Sequence, residues 1–208
     1  MILENIQEAK KSSKKRKFNQ TWDLIVTLSG IDLKKPENRF NVEFALPEGR
    51  GKEFKIAIFA DAVFAEAKKL ADYVIRKNEI EPLAKDKKKV KKLAKEYDWF
   101  LAEAPLMPLI GKTLGPVLAP RGKMPKPVPP KGIEPIVQLI KRSIRITLKT
   151  SPVIQIPIGT EDMPDENVMK NAEAVYNFIK DKLPKGRTNI RNVFIKLTMG
   201  KPVKLEMK

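Results

Sequence analysis

The chain is 208 residues long and carries 42 Lys and Arg against 25 Asp and Glu, a formal charge of +17. It has no Cys and no His, which excludes disulfides, thiol chemistry, zinc sites of the usual kind and His-based catalytic triads. The 42% hydrophobic share suffices for packed cores, and the one-sided charge points to a polyanionic partner rather than to the two-signed ion-pair networks of thermophilic surfaces.

Residues 1–10 lack the apolar run of a cleaved signal, and no stretch approaches the roughly 18 to 20 apolar residues of a membrane span, so neither export nor membrane insertion is expected. Ile2, Ile6 and Ala9 fall at helical spacing, and this short helix leads into a basic segment that includes Lys11, Lys14, Lys15, Arg16 and Lys17. "QTWDLIVTLSGI" then alternates Trp22, Leu24, Val26 and Leu28 with polar neighbours, and "RFNVEFAL" repeats the pattern with Phe40, Val42, Phe44 and Leu46. Both are predicted to be half-buried strands of an antiparallel sheet.

After the basic turn "EGRGK" at 48–52 the style changes. "FKIAIFA" is almost continuously apolar, and "DAVFAEAKKLADYVI" places Val63, Phe64, Ala67, Leu70, Ala71 and Val74 at helical spacing behind Asp61 as N-cap. Short strands "DYVI" and "DWFLA" flank a lysine-rich helix predicted from about Ile80 to Tyr97, and "PLMPLIGKTLGPVLAP" and "IEPIVQLIKRSI" add helical stripes. This alternation predicts a small α/β domain with a parallel sheet. From Arg145 onward, "RITLKTSPVIQIPIG" is strand-like, "PDENVMKNAEAVYNFIKDKL" is a helix, and "NIRNVFIKLTMGKPVKLEMK" gives two strands. The expected architecture is α/β and α+β in two domains: a discontinuous α+β domain, 1–52 with 147–208, and an inserted Rossmann-like α/β domain, 53–146.

Nucleotide chemistry on the insert finds no support. "GKT" at 111–113 lacks the earlier phosphate-loop glycine, since position 106 is Leu106, and the strand before Asp61 has no glycine-rich turn. No catalytic residues, metal ligands or cofactor are therefore expected, and a nucleotide-dependent enzyme is the weaker alternative. "GKTLGPVLAPRGKMPKPVPP", 111–130, has two readings: a solvated linker, or a packed loop that presents Lys112, Arg121, Lys123 and Lys126 outward to a sugar-phosphate backbone. Phe18 also has two: the first core residue of the next strand, or an aromatic at the sheet edge that meets a ribose or base. The lysine-rich helix reads as a solvated face.

Four segments together resemble the large-subunit ribosomal protein L-one family, in its archaeal form, over essentially the whole chain. "LTMGKPVKL" resembles the family's C-terminal Thr-Met-Gly signature, and "LGPVLAPRGKMPKPV" its Gly-Pro-Arg-Gly loop, with Ala119 where the family usually has glycine. "KFNQTWDLIVTLSGIDL" and "LPEGRGK" resemble two further family segments in the same order. The resemblance implies a cytoplasmic, ribosome-bound protein, monomeric when free, that binds large-subunit rRNA at the mobile stalk, assists release of tRNA from the exit site, and represses translation of its own mRNA. It implies a main RNA site of Lys15, Lys17, Phe18, Thr21, Asn192, Lys196, Thr198, Met199 and Gly200. A secondary site follows at Lys112, Arg121, Gly122, Lys123 and Lys126, with a hinge at Gly51 and Lys52. Thr198 is expected to hydrogen-bond ribose or phosphate, Met199 to pack on a ribose or strand, and Gly200 to admit the RNA backbone. A non-specific basic nucleic-acid coat is the remaining alternative.

Overall fold

The computed structural model describes residues 2–61, 64–129 and 133–206. Val63 and Pro130, assigned above to a helical stripe and to the proline-rich loop, lie outside the described residues. The chain runs α1 (Ile2–Ser12), β1 (Thr21–Leu28), β2 (Phe40–Ala45), β3 (Ile56–Phe59), α2 (Phe64–Leu70), β4 (Tyr73–Ile75), α3 (Lys77–Lys85), α4 (Lys87–Glu96) and β5 (Trp99–Glu103). It continues with α5 (Met107–Thr113), α6 (Gly115–Leu118), β6 (Lys126–Val128), α7 (Ile133–Arg142), β7 (Ser143–Leu148), β8 (Val153–Thr160), α8 (Asp165–Lys182), β9 (Ile190–Leu197) and β10 (Val203–Leu205). It divides into two compact units, Met1–Lys52 with Arg142–Lys208, and Glu53–Lys141.

In the terminal unit β10, β9, β1 and β8 form one antiparallel sheet in that order. Alternation decides its faces: Trp22, Leu24, Val26, Ile154, Ile156, Ile158, Ile195 and Leu197 are all buried and pack with Ile6 and Ala9 of α1 and with Val168, Ala172, Val175 and Ile179 of α8. Helix α8 opens with Asp165 and Glu166 and ends with Lys180 and Lys182, charges that match its dipole. Both helices meet the inward face. Asp23, Ile25 and Thr27 point the other way and are only half-buried.

Two expectations need correction here. The strand at Phe40–Ala45 does not share a sheet with β1; it pairs with β7 in a separate two-stranded ribbon, Val42 opposite Ile146 and Phe44 opposite Ile144. That pairing places 143–146 with the terminal segments, not with the insert, because Ile144, Ile146 and Leu148 bury into the terminal core.

In the inserted unit β4, β3, β5 and β6 make a fully parallel sheet. β3 and β5 are buried along their whole length, which explains their continuous apolar runs. Phe59, Phe100 and Ala102 pack toward Ile80, Val90 and Ile110 on one face, while Ile58, Leu101 and Ala67 pack toward Val137 and Ile140 on the other. The single helix predicted for 80–97 is two helices. The chain breaks at Asp86, whose carboxylate caps α4 by accepting from the Lys88 and Lys89 amides at 3.0 and 3.2 Å. The helix after Asp61 ends at Leu70, and Val74, placed on its stripe by spacing, belongs to β4.

Candidate nucleic-acid interface

The start of β1 and the end of β9 lie side by side, with Trp22 opposite Leu197 and Asp23 opposite Lys196. Antiparallel pairing thereby joins segments 177 residues apart, the basic stretch before β1 and the turn after β9. On the face of the sheet turned away from the helices, Asn192 and Lys196 stand half-buried beside Thr27 and Asp23. Val193, Ile195 and Leu197 face the core, as alternation predicts.

Thr198 is exposed but its hydroxyl is engaged. Its Oγ1 accepts from the Thr21 amide at 3.0 Å and donates to the Thr21 carbonyl at 3.2 Å, while the Thr198 amide donates to the same carbonyl at 3.0 Å. In the free protein the hydroxyl proton is thus directed at the Thr21 carbonyl. A lone pair remains to accept from a ribose 2′-hydroxyl.

The turn is closed by the Gly200 amide donating to the Leu197 carbonyl at 2.8 Å. Gly200 does not adopt positive φ, and a Cβ there would meet Leu197 atoms at 3.4 Å, an ordinary van der Waals contact. The fold itself does not demand glycine at this position. Met199 is 58% exposed, so most of its side chain is open to solvent. Phe18 is 51% exposed, which rules out the core reading and leaves the ring at the surface among the exposed Lys14, Lys15, Arg16 and Lys17.

Gln20 fastens these pieces together and is missing from the expected site. It is fully buried, its Oε1 accepts from the Met199 amide at 3.1 Å, and its Nε2 lies 3.3 Å from Ser13 Oγ, 3.4 Å from the Lys14 carbonyl and 3.3 Å from Glu161 Oε2. The Glu161 amide donates to the Gln20 carbonyl at 2.8 Å, and Asn19 donates to Asp162 beside it. One side chain thus ties the basic segment, the β8–α8 loop and the 198–200 turn. A signal was present: Gln20 shares its parity with Trp22 and Leu24, so a polar residue sits at an inward-facing position, where it needs internal partners.

Partial burial raises the Asp23 carboxyl above the usual carboxylate range, against the opposing pull of Lys196 and Arg50. A neutralisable acid therefore sits on the open sheet face among cations.

The secondary site is less uniform than expected. Lys112 and Arg121 are exposed, and Arg121 donates to the Lys91 carbonyl at 3.3 Å. Gly122, at φ 65°, ends the short turn over 119–121 in the left-handed region. Lys123 does not point outward: its Nζ donates to the Tyr97 carbonyl at 2.7 Å, capping the end of α4. Lys126 lies over the Trp99 ring at 5.0 Å. Long aliphatic stems let both lysines turn back onto the body of the unit. The linker reading fails as well, since 111–128 is built of short helices and a strand with Leu114, Leu118 and Pro125 buried.

At the expected hinge, Gly51 has φ 79° and faces Thr160 and Met163, so its glycine is required by conformation and packing. Lys52 is exposed. Among the described residues no group of three or more acidic, His or Cys side chains is placed to hold a metal, and no helix is long and apolar enough to cross a membrane.

Comparison with known proteins finds relatives over nearly the whole chain. The family model described as "Ribosomal protein L1p/L10e family" matches residues 9–201. The chain is 53% identical to the large ribosomal subunit protein uL1 of Thermococcus kodakarensis, covering 99% of this chain and 96% of that protein. It is 51% identical to the uL1 of Pyrococcus horikoshii, over 99% and 95%, and 46% identical to that of Methanothermobacter thermautotrophicus, over 98% of each. With a match of that extent and relatives of that similarity, the chain belongs to the ribosomal protein L1p/L10e family.

Proposed function

We propose that the protein is a structural constituent of the large ribosomal subunit and holds large-subunit rRNA at the edge where Phe18 and its cations meet the Thr198–Gly200 turn. Relatives named as large ribosomal subunit protein uL1 support the first part. The observation that carries the second is the meeting of an exposed aromatic, an exposed cationic segment and a glycine that the fold does not need. Backbone phosphates would be met by Lys15, Lys17 and Lys196, a ribose or base by the Phe18 ring, and the RNA main chain would approach at Gly200. Met199, held at its amide and free at its side chain, would lie on a ribose. Asn192 and Thr21 extend the surface along the open sheet face. Lys112, Arg121, Gly122 and the outer edges of Lys123 and Lys126 would make a weaker second contact. By family resemblance, the same protein would assist departure of tRNA from the exit site and bind its own mRNA as a repressor through the main site.

Filter binding with the full chain tests this. An RNA fragment of the large-subunit stalk is expected to bind roughly a thousandfold or more tighter than an unrelated RNA of equal length at the same salt, by analogy with specific protein–DNA ratios. Phe18→Ala should reduce that preference. Equal affinity for both RNAs would leave only a non-specific basic coat. Competition between the stalk fragment and the protein's own mRNA tests the repressor role, and absence of competition would remove it.

A further inference from the structure

We propose that the end of the terminal unit farthest from the Thr198 turn is a second binding surface for RNA backbone. β1 starts at the main site with Thr21 and leaves it with Leu28, seven residue steps or about 23 Å away. At that far end three loops converge. The Leu28 amide donates to the Pro152 carbonyl at 2.8 Å and the Ser29 amide to the Asn189 carbonyl at 2.8 Å.

Asn189 locks two of these loops together. It is 1% exposed, its Nδ2 donates to the Ser29 carbonyl at 3.0 Å, and its Oδ1 accepts from the Lys185 amide at 2.9 Å. The 29–39 loop is braced from within: Asp32 accepts from the Lys34 amide at 2.9 Å, Asn38 donates to the Asp32 carbonyl at 2.7 Å, and Arg39 Nε donates to the Leu33 carbonyl at 2.6 Å. These loops are braced by hydrogen bonds, and together with the start of β9 they carry Lys34, Lys35, Arg39, Lys185, Arg187 and Arg191, all exposed.

Among the described residues none of the six lies within 4 Å of a carboxylate, whereas Lys10 pairs with Asp165 at 2.9 Å and Lys170 with Glu48 at 3.1 Å elsewhere in the unit. Lys180 and Lys182 have another role, since they complement the C-terminal pole of α8. Six cations at one end of the unit, set against only Asp32 and Glu37 of the 29–39 loop, leave an excess of positive charge that a polyanion would neutralise. Fixed spacing and three guanidinium groups suit phosphates, which accept bidentate bonds. The surface lies too far from the main site to share its phosphates, so the unit would hold two separate stretches of one folded RNA. The inference rests on the RNA reading above, but the two fail separately.

The test compares the full chain with Arg187→Gln/Arg191→Gln and with Lys34→Gln/Lys35→Gln. Each is titrated against deproteinised large-subunit rRNA and against the shortest stalk fragment whose binding still depends on Thr198. For the long RNA, each double variant is expected to lose about tenfold in affinity and to lower the salt slope by about 1 to 2, as for two lost phosphate contacts. For the short fragment, both variants should match the wild type, while Thr198→Val weakens both RNAs. Unchanged binding of the long RNA overturns the proposal, and so does an equal loss on both RNAs, which would mark a general effect of net charge. Intact RNA binding with poorer incorporation into the large subunit would overturn it in favour of an acidic protein neighbour. If the wild type binds neither RNA, the main reading falls too.

Discussion

The Thr198 hydroxyl sits between the amide and the carbonyl of Thr21, at 3.0 and 3.2 Å, and so joins the last turn to the first strand across almost the whole sequence. Thr27 repeats the device farther along, its hydroxyl donating to the Asn192 carbonyl at 3.0 Å and accepting from the Asn192 amide at 3.1 Å. Threonine hydroxyls on the β1–β9 pair therefore hold strand edges together before any RNA arrives.

Thr198→Val should break both hydroxyl bonds while keeping the shape of the side chain. The expected cost is about 1 kcal/mol of stability, because solvent can reach the freed Thr21 groups, with a larger loss in affinity for the specific RNA. Thr198→Ser should restore both. The slope of log affinity against log salt should not change, since no cation is removed. A valine variant that folds and binds like the wild type would show that the hydroxyl matters to neither.

Gln20 is fully buried and supports the turn from inside through the Met199 amide. Gln20→Met keeps volume and flexibility but leaves the Met199 amide and the Glu161 carboxylate without this partner. Destabilisation of about 1 to 3 kcal/mol is expected, together with faster hydrogen exchange at the Met199 amide. A loss of RNA affinity accompanied by unchanged Met199 exchange would place the effect elsewhere than in the turn.

Alternation along β1 and β9 was legible because each strand has one wet and one dry face, so Trp22, Leu24, Val26, Ile195 and Leu197 could be assigned to the core from spacing alone. The change to continuous apolar runs at 56–59 and 99–103 was equally plain, since parallel strands are covered on both sides. Partners were not legible. Nothing local in "RFNVEFAL" says that it pairs with 143–148 rather than with β1, and register over about 100 intervening residues is settled only by the packed core. Composition cannot tell Lys112 in solvent from Lys123 folded onto the Tyr97 carbonyl within the 111–128 segment. The partners of Gln20 are not legible in the sequence, because they come from residues 13, 14, 161 and 199, which only the fold brings together.

Gly51→Ala should be costly for two separable reasons. At φ 79° an L side chain is strained by roughly 1 to 2 kcal/mol, and an added Cβ would also overlap Thr160 Oγ1 and approach Met163 Sδ to 2.7 Å. Gly30→Ala isolates the first term, since its φ is 68° but the nearest atom to a Cβ is 3.7 Å away. Denaturant unfolding of both variants should therefore show the larger loss at position 51. Equal losses would mean that Thr160 and Met163 both move aside at no cost.

Asp23 gives the site a dependence on pH whose sign follows from its surroundings. Burial is the dominant influence and raises the carboxyl, while Lys196 and Arg50 pull the other way. The folded protein therefore holds the Asp23 proton more tightly than the unfolded chain does, and the charged form carries a penalty in the folded state. That penalty is fully present above the folded-state pKa. It disappears as pH falls through that value toward the usual carboxylate range. Asp23→Asn removes the ionisation and should raise stability at neutral pH, with the advantage over the wild type shrinking to nothing by about pH 3. Thermal or urea unfolding of the two proteins across that range measures it. A variant less stable than the wild type at neutral pH would show that Lys196 and Arg50 outweigh burial, and that Asp23 is a counter-ion of the open face.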